Sequence, residues 1–184
     1  SKYSSVCSGV LAFSLSNPIF CTLWLDAPEA KKTCSILDVK GYRFPKETLV
    51  QKMIQLAKGT GVSIRRIGVE KDFMLLRDYE MLLREFPIAE FIHITPVIDQ
   101  LRAIKSSDEI KNIQKSASIS DEAMVTALKA IRPGVREIEI AAEAEYVMRK
   151  LGSEKLAFST FVASGERTLL AHPLASKQKI EKGE

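Results

Sequence analysis

The sequence predicts an α/β protein, and three observations carry that prediction. Short apolar runs of strand length alternate with amphipathic stretches of helical period through residues 8–95. Two longer helical patterns follow, from Ser106 to Ile131 and from about Arg136 to Leu151. An apolar, β-rich run, Leu156–Gly165, then leads to Ala171-His172-Pro173. Strands that alternate with helices build a partly parallel sheet covered by those helices.

The elements are expected in this order. Val10, Ala12 and the Phe13 region form a first strand, Asn17-Pro18 a turn, and Ile19–Leu25 a second strand, together a hairpin. The second is almost continuously apolar, as a strand buried on both faces should be. Asp26-Ala27-Pro28-Glu29 opens a short helix, with proline early, where its missing N–H costs little. Ser35–Val39 is a strand that Phe44-Pro45 breaks. Lys46–Lys58 is a helix, with Leu49, Val50, Met53, Ile54 and Ala57 on one face and Gly59 and Gly61 at its end. Ile64–Val69 is a strand. Asp72–Phe86 is a helix with Phe73, Leu76, Tyr79, Leu82, Leu83 and Phe86 on one face. Glu90–Thr95 is a strand that Pro96 ends, and Val97–Lys105 is a linker.

Ser106, followed three residues later by Glu109, is a capping box, so a helix should start there. Its expected buried side carries Ile110, Ile113, Ala117, Met124, Ala127, Leu128 and Ile131, and Arg132-Pro133-Gly134 breaks it. The next helix has apolar residues nearly all round and should be largely buried, and Gly152 closes it. The domain boundary falls near Asp99, giving domains at 1–98 and 99–184.

Composition narrows the classes. The chain has 184 residues, 46% hydrophobic and 27% charged, with a formal net charge of +4. Acidic and basic residues alternate almost everywhere, which describes a mixed solvated surface and not a nucleic-acid footprint. No run reaches the length of a transmembrane helix, and the first residues do not read as a signal peptide. Three widely spaced cysteines, Cys7, Cys21 and Cys34, make no disulfide framework, so they read as reduced thiols of a cytoplasmic protein.

Familiar catalytic patterns do not occur: no P-loop, no GxGxxG, no HExxH and no nucleophile elbow around Ser164-Gly165. A Ser164–His172 pairing lacks a nameable orienting acid. The chain has two histidines. His93 lies in a strand and reads as a packed or edge residue. His172 stands before Pro173, which fixes an extended backbone at the histidine.

The second half resembles the opening of the catalytic domain of the creatinase, prolidase and aminopeptidase P family, the pita-bread metallopeptidases. The pieces are Leu101-Arg102-Ala103-Ile104-Lys105-Ser106 with Glu109-Ile110; Ile131-Arg132-Pro133-Gly134 with Glu137; Gly152 with Ala157-Phe158 and Val162-Ala163-Ser164-Gly165; and Ala171-His172-Pro173 with Ile180 and Gly183. Their order and spacing make the match specific. Residues 1–98 fit the family's smaller N-terminal α/β domain, with a start shorter than usual. Residues 99–184 then form the first helices and strands of an α+β pita-bread domain.

The resemblance implies hydrolysis of Xaa-Pro bonds by a water that two divalent ions, manganese or cobalt, activate. It implies a proline-containing peptide substrate and a cytoplasmic homodimer. The compact N-terminal domain points to a dipeptidase before an aminopeptidase. The family's metal ligands, two Asp, one His and two Glu, are expected beyond residue 184, so this stretch is read as an inactive, metal-free fragment. One catalytic residue carries over: His172, which the resemblance places against the substrate or the tetrahedral intermediate. Arg136 stands where a capping Thr is more common. Alternative readings are a non-catalytic binding or scaffold protein of the same fold and a creatinase-like C–N hydrolase.

Overall fold

A computed structural model describes residues 9–12, 18–36 and 38–184. The expected strand material at Phe13, the turn residue Asn17, and Cys7 lie outside them. The chain divides into two compact units, Ser1–Ala103 and Ile104–Glu184.

In the first unit, β1 (Gly9–Ala12) and β2 (Pro18–Leu23) pair antiparallel, from Gly9 opposite Cys21 to Ala12 opposite Pro18. A short helix, α1 (Ala27–Thr33), crosses from β2 to β3 (Asp38–Tyr42), which pairs parallel to β2. Pro28 sits in the first turn of α1, as its fixed φ favours. Phe20 and Val39 point to the α1 side and close on Ala30, with Ala27, Cys34 and Ile36 around them. Residues two apart share a sheet face, so Cys21 faces the other way, and it too is fully buried.

The third strand departs from expectation. It runs from Asp38 to Tyr42 and not from Ser35 to Val39. The reason is local. Cys34 still closes the end of α1 through its amide to the Ala30 carbonyl at 2.8 Å, and the Ile36 amide meets Cys34 Sγ at 3.4 Å. The strand also continues through Gly41, where the backbone just past β2 comes close. A Cβ on Gly41 would lie 2.8 Å from Trp24 Cα.

Helix α2 (Leu49–Gly59) begins three residues later than the periodicity predicts. Thr48 decides the start: its Oγ1 accepts from the Gln51 amide at 3.3 Å, and Gln51 Oε1 accepts from the Thr48 amide at 2.8 Å. Val50, Ile54 and Ala57 are its buried face. The following β4 (Arg66–Val69), α3 (Leu76–Glu85) and β5 (Glu90–His93) form a second β–α–β unit with parallel strands. Tyr79 packs edge-on against Phe91, ring centroids 5.5 Å apart. Phe73 and Leu76, expected on the same face, are exposed.

The expected linker after Pro96 is a helix, α4 (Thr95–Ala103). Pro96 starts it instead of ending the strand: the second position of a helix needs no N–H, and the Val97 and Ile98 amides both return to the Ile94 carbonyl.

The second unit opens with α5 (Ser107–Ala130) and α6 (Glu137–Lys150). The capping box at Ser106 forms as read, with Glu109 Oε2 2.8 Å from the Ser106 amide. The buried residues of the two helices are mostly alanines: Ala123 on α5, and Ala141 and Ala144 with Ile140 on α6. This corrects the expected burial. Ile110, Ile113, Met124, Leu128 and Ile131 are exposed, as are Ile138 and Tyr146 on α6. Met124, one residue on, and Leu128, five residues on, lie about 100° and 140° of helix rotation from Ala123. A single neighbouring helix covers one such stripe and no more.

The run Leu156–Gly165 does not form a strand ladder. Phe161 makes an isolated antiparallel bridge to Leu174, and Gly165–Leu169 is a 3-10 turn. A β-rich composition yields a strand where a partner strand lies alongside, and among the described residues this run meets one bridge residue.

Candidate functional site

The site is built on the amino end of α6. A helix start leaves backbone amides without intrahelical partners. Arg136 precedes the helix, and its guanidinium cannot accept a hydrogen bond. Glu139 supplies the other half of a box: Oε2 accepts from the Arg136 amide at 2.9 Å and from Arg136 Nε at 3.1 Å. Those contacts push the Glu139 carboxyl down to about 2. The helix amides find acceptors elsewhere. Glu137 N donates to the Gln178 carbonyl at 3.0 Å and Ile138 N to the Ser176 carbonyl at 2.9 Å. Gly134, at φ 88°, donates to the Ile180 carbonyl at 2.8 Å, and Ile180 N returns to Val135 at 2.9 Å. A later segment, residues 176–180, therefore caps this helix.

The first residue of α6, Glu137, is fully buried. Its Oε1 accepts from the Ser164 amide at 2.8 Å and Ser164 Oγ at 3.1 Å. Its Oε2 accepts from the Ser176 amide at 3.1 Å and Ser176 Oγ at 2.7 Å. Arg167 Nε lies 3.3 and 3.1 Å from the two oxygens. Burial pushes this carboxyl up, but the hydrogen bonds from Ser176 and Ser164 outweigh it and hold it below the usual carboxylate range. The carboxylate is therefore ionised and its acceptor sites are filled.

Residues 164–176 form a loop between those two serines. Arg167 Nη2 donates to the Leu174 carbonyl at 2.6 Å, and Gln178 Nε2 reaches Ser164 Oγ at 3.3 Å. His172 lies within this loop, exposed to solvent. Its ring packs edge-on against Phe161, centroids 5.5 Å apart at 69°, and Phe161 in turn packs against Phe158. An imidazole held by one ring edge with its nitrogens reachable can donate to or accept from a bound molecule.

Other sequence candidates fall elsewhere. Ser164 Oγ is engaged by Glu137 and Gln178, so it is a structural hydroxyl and no nucleophile paired with His172. His93 sits at the exposed end of β5, 3.1 Å from Asp72 Oδ2. Among the described residues, no group of three or more His, Cys, Asp or Glu side chains could hold a metal ion.

Sequence reading missed the part played by Glu137, Arg167 and Ser176. The partners of Glu137 lie 27, 30 and 39 residues away, beyond any local periodicity. The available signal was a glutamate at a helix start preceded by an arginine in the capping position.

Residues 3–104 match the Creatinase/Prolidase N-terminal domain, and residues 111–184 match Metallopeptidase family M24. An Xaa-Pro dipeptidase of Pyrococcus horikoshii is 40% identical over 121 residues, 66% of this chain and 34% of the relative. An uncharacterised peptidase, YqhT, of Bacillus subtilis is 34% identical over 150 residues, 80% of this chain and 42% of the relative. The X-Pro aminopeptidase structure from Thermotoga maritima superposes with a TM-score of 0.81 at 31% identity, over 96% of this chain and 47% of that one. The prolidase structure from Pyrococcus horikoshii gives 0.78 at 34% identity, over 91% and 45%. The chain thus spans between a third and a half of these proteins. With the Creatinase/Prolidase N-terminal domain over more than half of its length, followed in order by the partial match to Metallopeptidase family M24, the chain belongs to the creatinase/prolidase family.

Proposed function

We propose that this chain contributes the N-terminal domain and the first part of the peptidase domain to a metal-dependent peptidase that hydrolyses Xaa-Pro bonds. One observation carries the reading: both family matches run in order along the chain, and the relatives they bring include Xaa-Pro dipeptidases. A dipeptide ending in proline is the substrate class. Two divalent ions, manganese or cobalt, would supply a hydroxide near neutral pH. The described residues hold no group for them. The same reading takes the enzyme as a cytoplasmic homodimer; the net charge of +4 and a mixed surface assign it no nucleic-acid partner.

Within this chain the chemistry belongs to His172. Its exposed ring stands on a loop tied at both ends, so its direction is set before substrate arrives. A pre-aimed imidazole donates to oxygen that gains negative charge as the amide carbon becomes tetrahedral, and such a donor acts on the transition state more than on the ground state. Backbone bonds at Ser164 and Ser176 limit the motion that would misdirect it.

The test is His172→Ala in the full-length enzyme, assayed with an Xaa-Pro dipeptide and with metal content measured alongside. Turnover falls on the order of a hundredfold or more and metal content holds. Wild-type turnover removes His172 from the mechanism. No hydrolysis of any Xaa-Pro dipeptide by the metal-loaded parent leaves a peptide-binding protein of the same fold.

A further inference from the structure

The loop that carries His172 is closed at its neck by one carboxylate. Oε1 of Glu137 holds Ser164 at the start of the loop, and Oε2 holds Ser176 at its end. Arg167, inside the loop, lies against both oxygens and also holds the Leu174 carbonyl, two residues past His172. Leu174 bridges Phe161, and the Phe161 ring is the surface on which the His172 ring rests. A short chain of contacts therefore links Glu137 to the imidazole.

The carboxylate does not cap its own helix. The first amides of α6 are served by the backbone carbonyls of Gln178, Ser176 and Arg136. Its bonding capacity goes into the loop instead. A carboxylate has about four lone-pair sites, and Ser164, Ser176 and Arg167 fill them.

The geometry points to Glu137 as a positioning residue that fixes the direction of His172 by clamping both ends of the loop 164–176. It does not touch substrate. Its consequence for turnover rests on the peptidase reading of His172, whereas the clamp itself is testable without that reading.

Glu137→Gln keeps the shape and removes the charge. A glutamine end accepts at one atom and presents N–H at the other, so one serine loses its acceptor and Arg167 keeps one of its two and loses the charge it faced. The chain has two histidines, so His93→Gln leaves His172 as the sole imidazole signal. In that background the Cδ2–H and Cε1–H resonances of His172, displaced by the Phe161 ring, move to free-imidazole positions in Glu137→Gln. Amide exchange across 164–176 speeds about tenfold or more, while Ala144–Lys150 of α6 keep their protection. Ser164→Ala and Ser176→Ala each remove one hydroxyl bond to Glu137, together with the Gln178 contact that hydroxyl accepts, and give smaller displacements of the same sign; they decide the matter if Glu137→Gln does not fold. Unmoved His172 resonances in the folded variants overturn the clamp.

In the full-length enzyme, Glu137→Gln lowers kcat about tenfold to a hundredfold with KM within about twofold. Adding it to His172→Ala causes no further loss, since its effect runs through the histidine. Additive losses overturn the positioning role. Wild-type turnover in His172→Ala defeats the peptidase reading alone, and the resonance experiment still decides the clamp.

Discussion

Replacing Glu137 by alanine is expected to cost the second unit about 4 kcal/mol. The figure follows from what is left behind. The Ser164 and Ser176 amides cannot turn away, and Ser164 is 6% exposed, so water does not replace the acceptor there. An amide stranded in this way costs about 1–3 kcal/mol. The two hydroxyls can rotate to other acceptors and contribute less. The Arg167 side chain is 28% exposed and keeps the Leu174 carbonyl, so it loses less than a sealed cation would. Removing one partner of a buried pair costs about 3–5 kcal/mol, and these penalties overlap rather than add. Typical domains hold about 5–15 kcal/mol in total. The assay is urea denaturation followed by far-UV circular dichroism, with linear extrapolation. Arg167→Met alone, and the pair, complete a cycle in which the double variant costs less than the sum. A loss under about 1 kcal/mol for Glu137→Ala shows that water serves the stranded amides, and the reasoning fails.

The same carboxylate sets an acid limit. Its folded pKa lies below the ordinary value of 4.5, so its stabilisation is complete above that pH and is lost as pH falls through the depressed value. Stability of the wild type should decline below about pH 4.5 more steeply than that of Glu137→Gln; parallel curves contradict this. Gly41→Ala should destabilise the first unit by about 1–3 kcal/mol, because its Cβ meets Trp24 Cα at 2.8 Å in a backbone that cannot yield cheaply. Gly59→Ala, with nothing within 4 Å of the added carbon, should stabilise α2 by about 0.4–1 kcal/mol. Denaturation midpoints of equal sign for the two refute the packing argument. Burial pushes the Cys21 thiol up to about 11, so at pH 8 iodoacetamide should label Cys34 well before Cys21. Peptide mass spectrometry reads the order, and equal rates contradict the burial of Cys21.

Where the sequence was legible, the cause was local. Ser106 and Glu109 announce α5 because both halves of the box are side chains three residues apart. Alternating strands and helices in the first unit were readable because each hides its apolar face against its neighbours. One boundary failed where a residue has two meanings: Pro96 ends a strand or starts a helix, and the Ile94 carbonyl settles it. Another failed at β3, which starts at Asp38 and not at Ser35 because Cys34 still closes the end of α1. The faces of α5 and α6 misled because an apolar residue records a preference for burial and not the presence of a partner. His172 was named through resemblance, and the structure places it on a clamped loop. The residue that clamps it was invisible for want of any local pattern joining Glu137 to Ser176.

The cap of α6 by residues 176–180 has a consequence in time. Ser176 lies 39 residues beyond Glu137, and at synthesis rates of about 5–20 residues per second that is roughly 2–8 seconds of translation. Through that interval the α5–α6 hairpin can pair along its alanine seam, while the Glu137 and Ile138 amides have only water. The buried glutamate is then an exposed charge at a fraying helix end. Completion of the helix and burial of the charge become one late event, triggered by arrival of residues 176–180 from the ribosome.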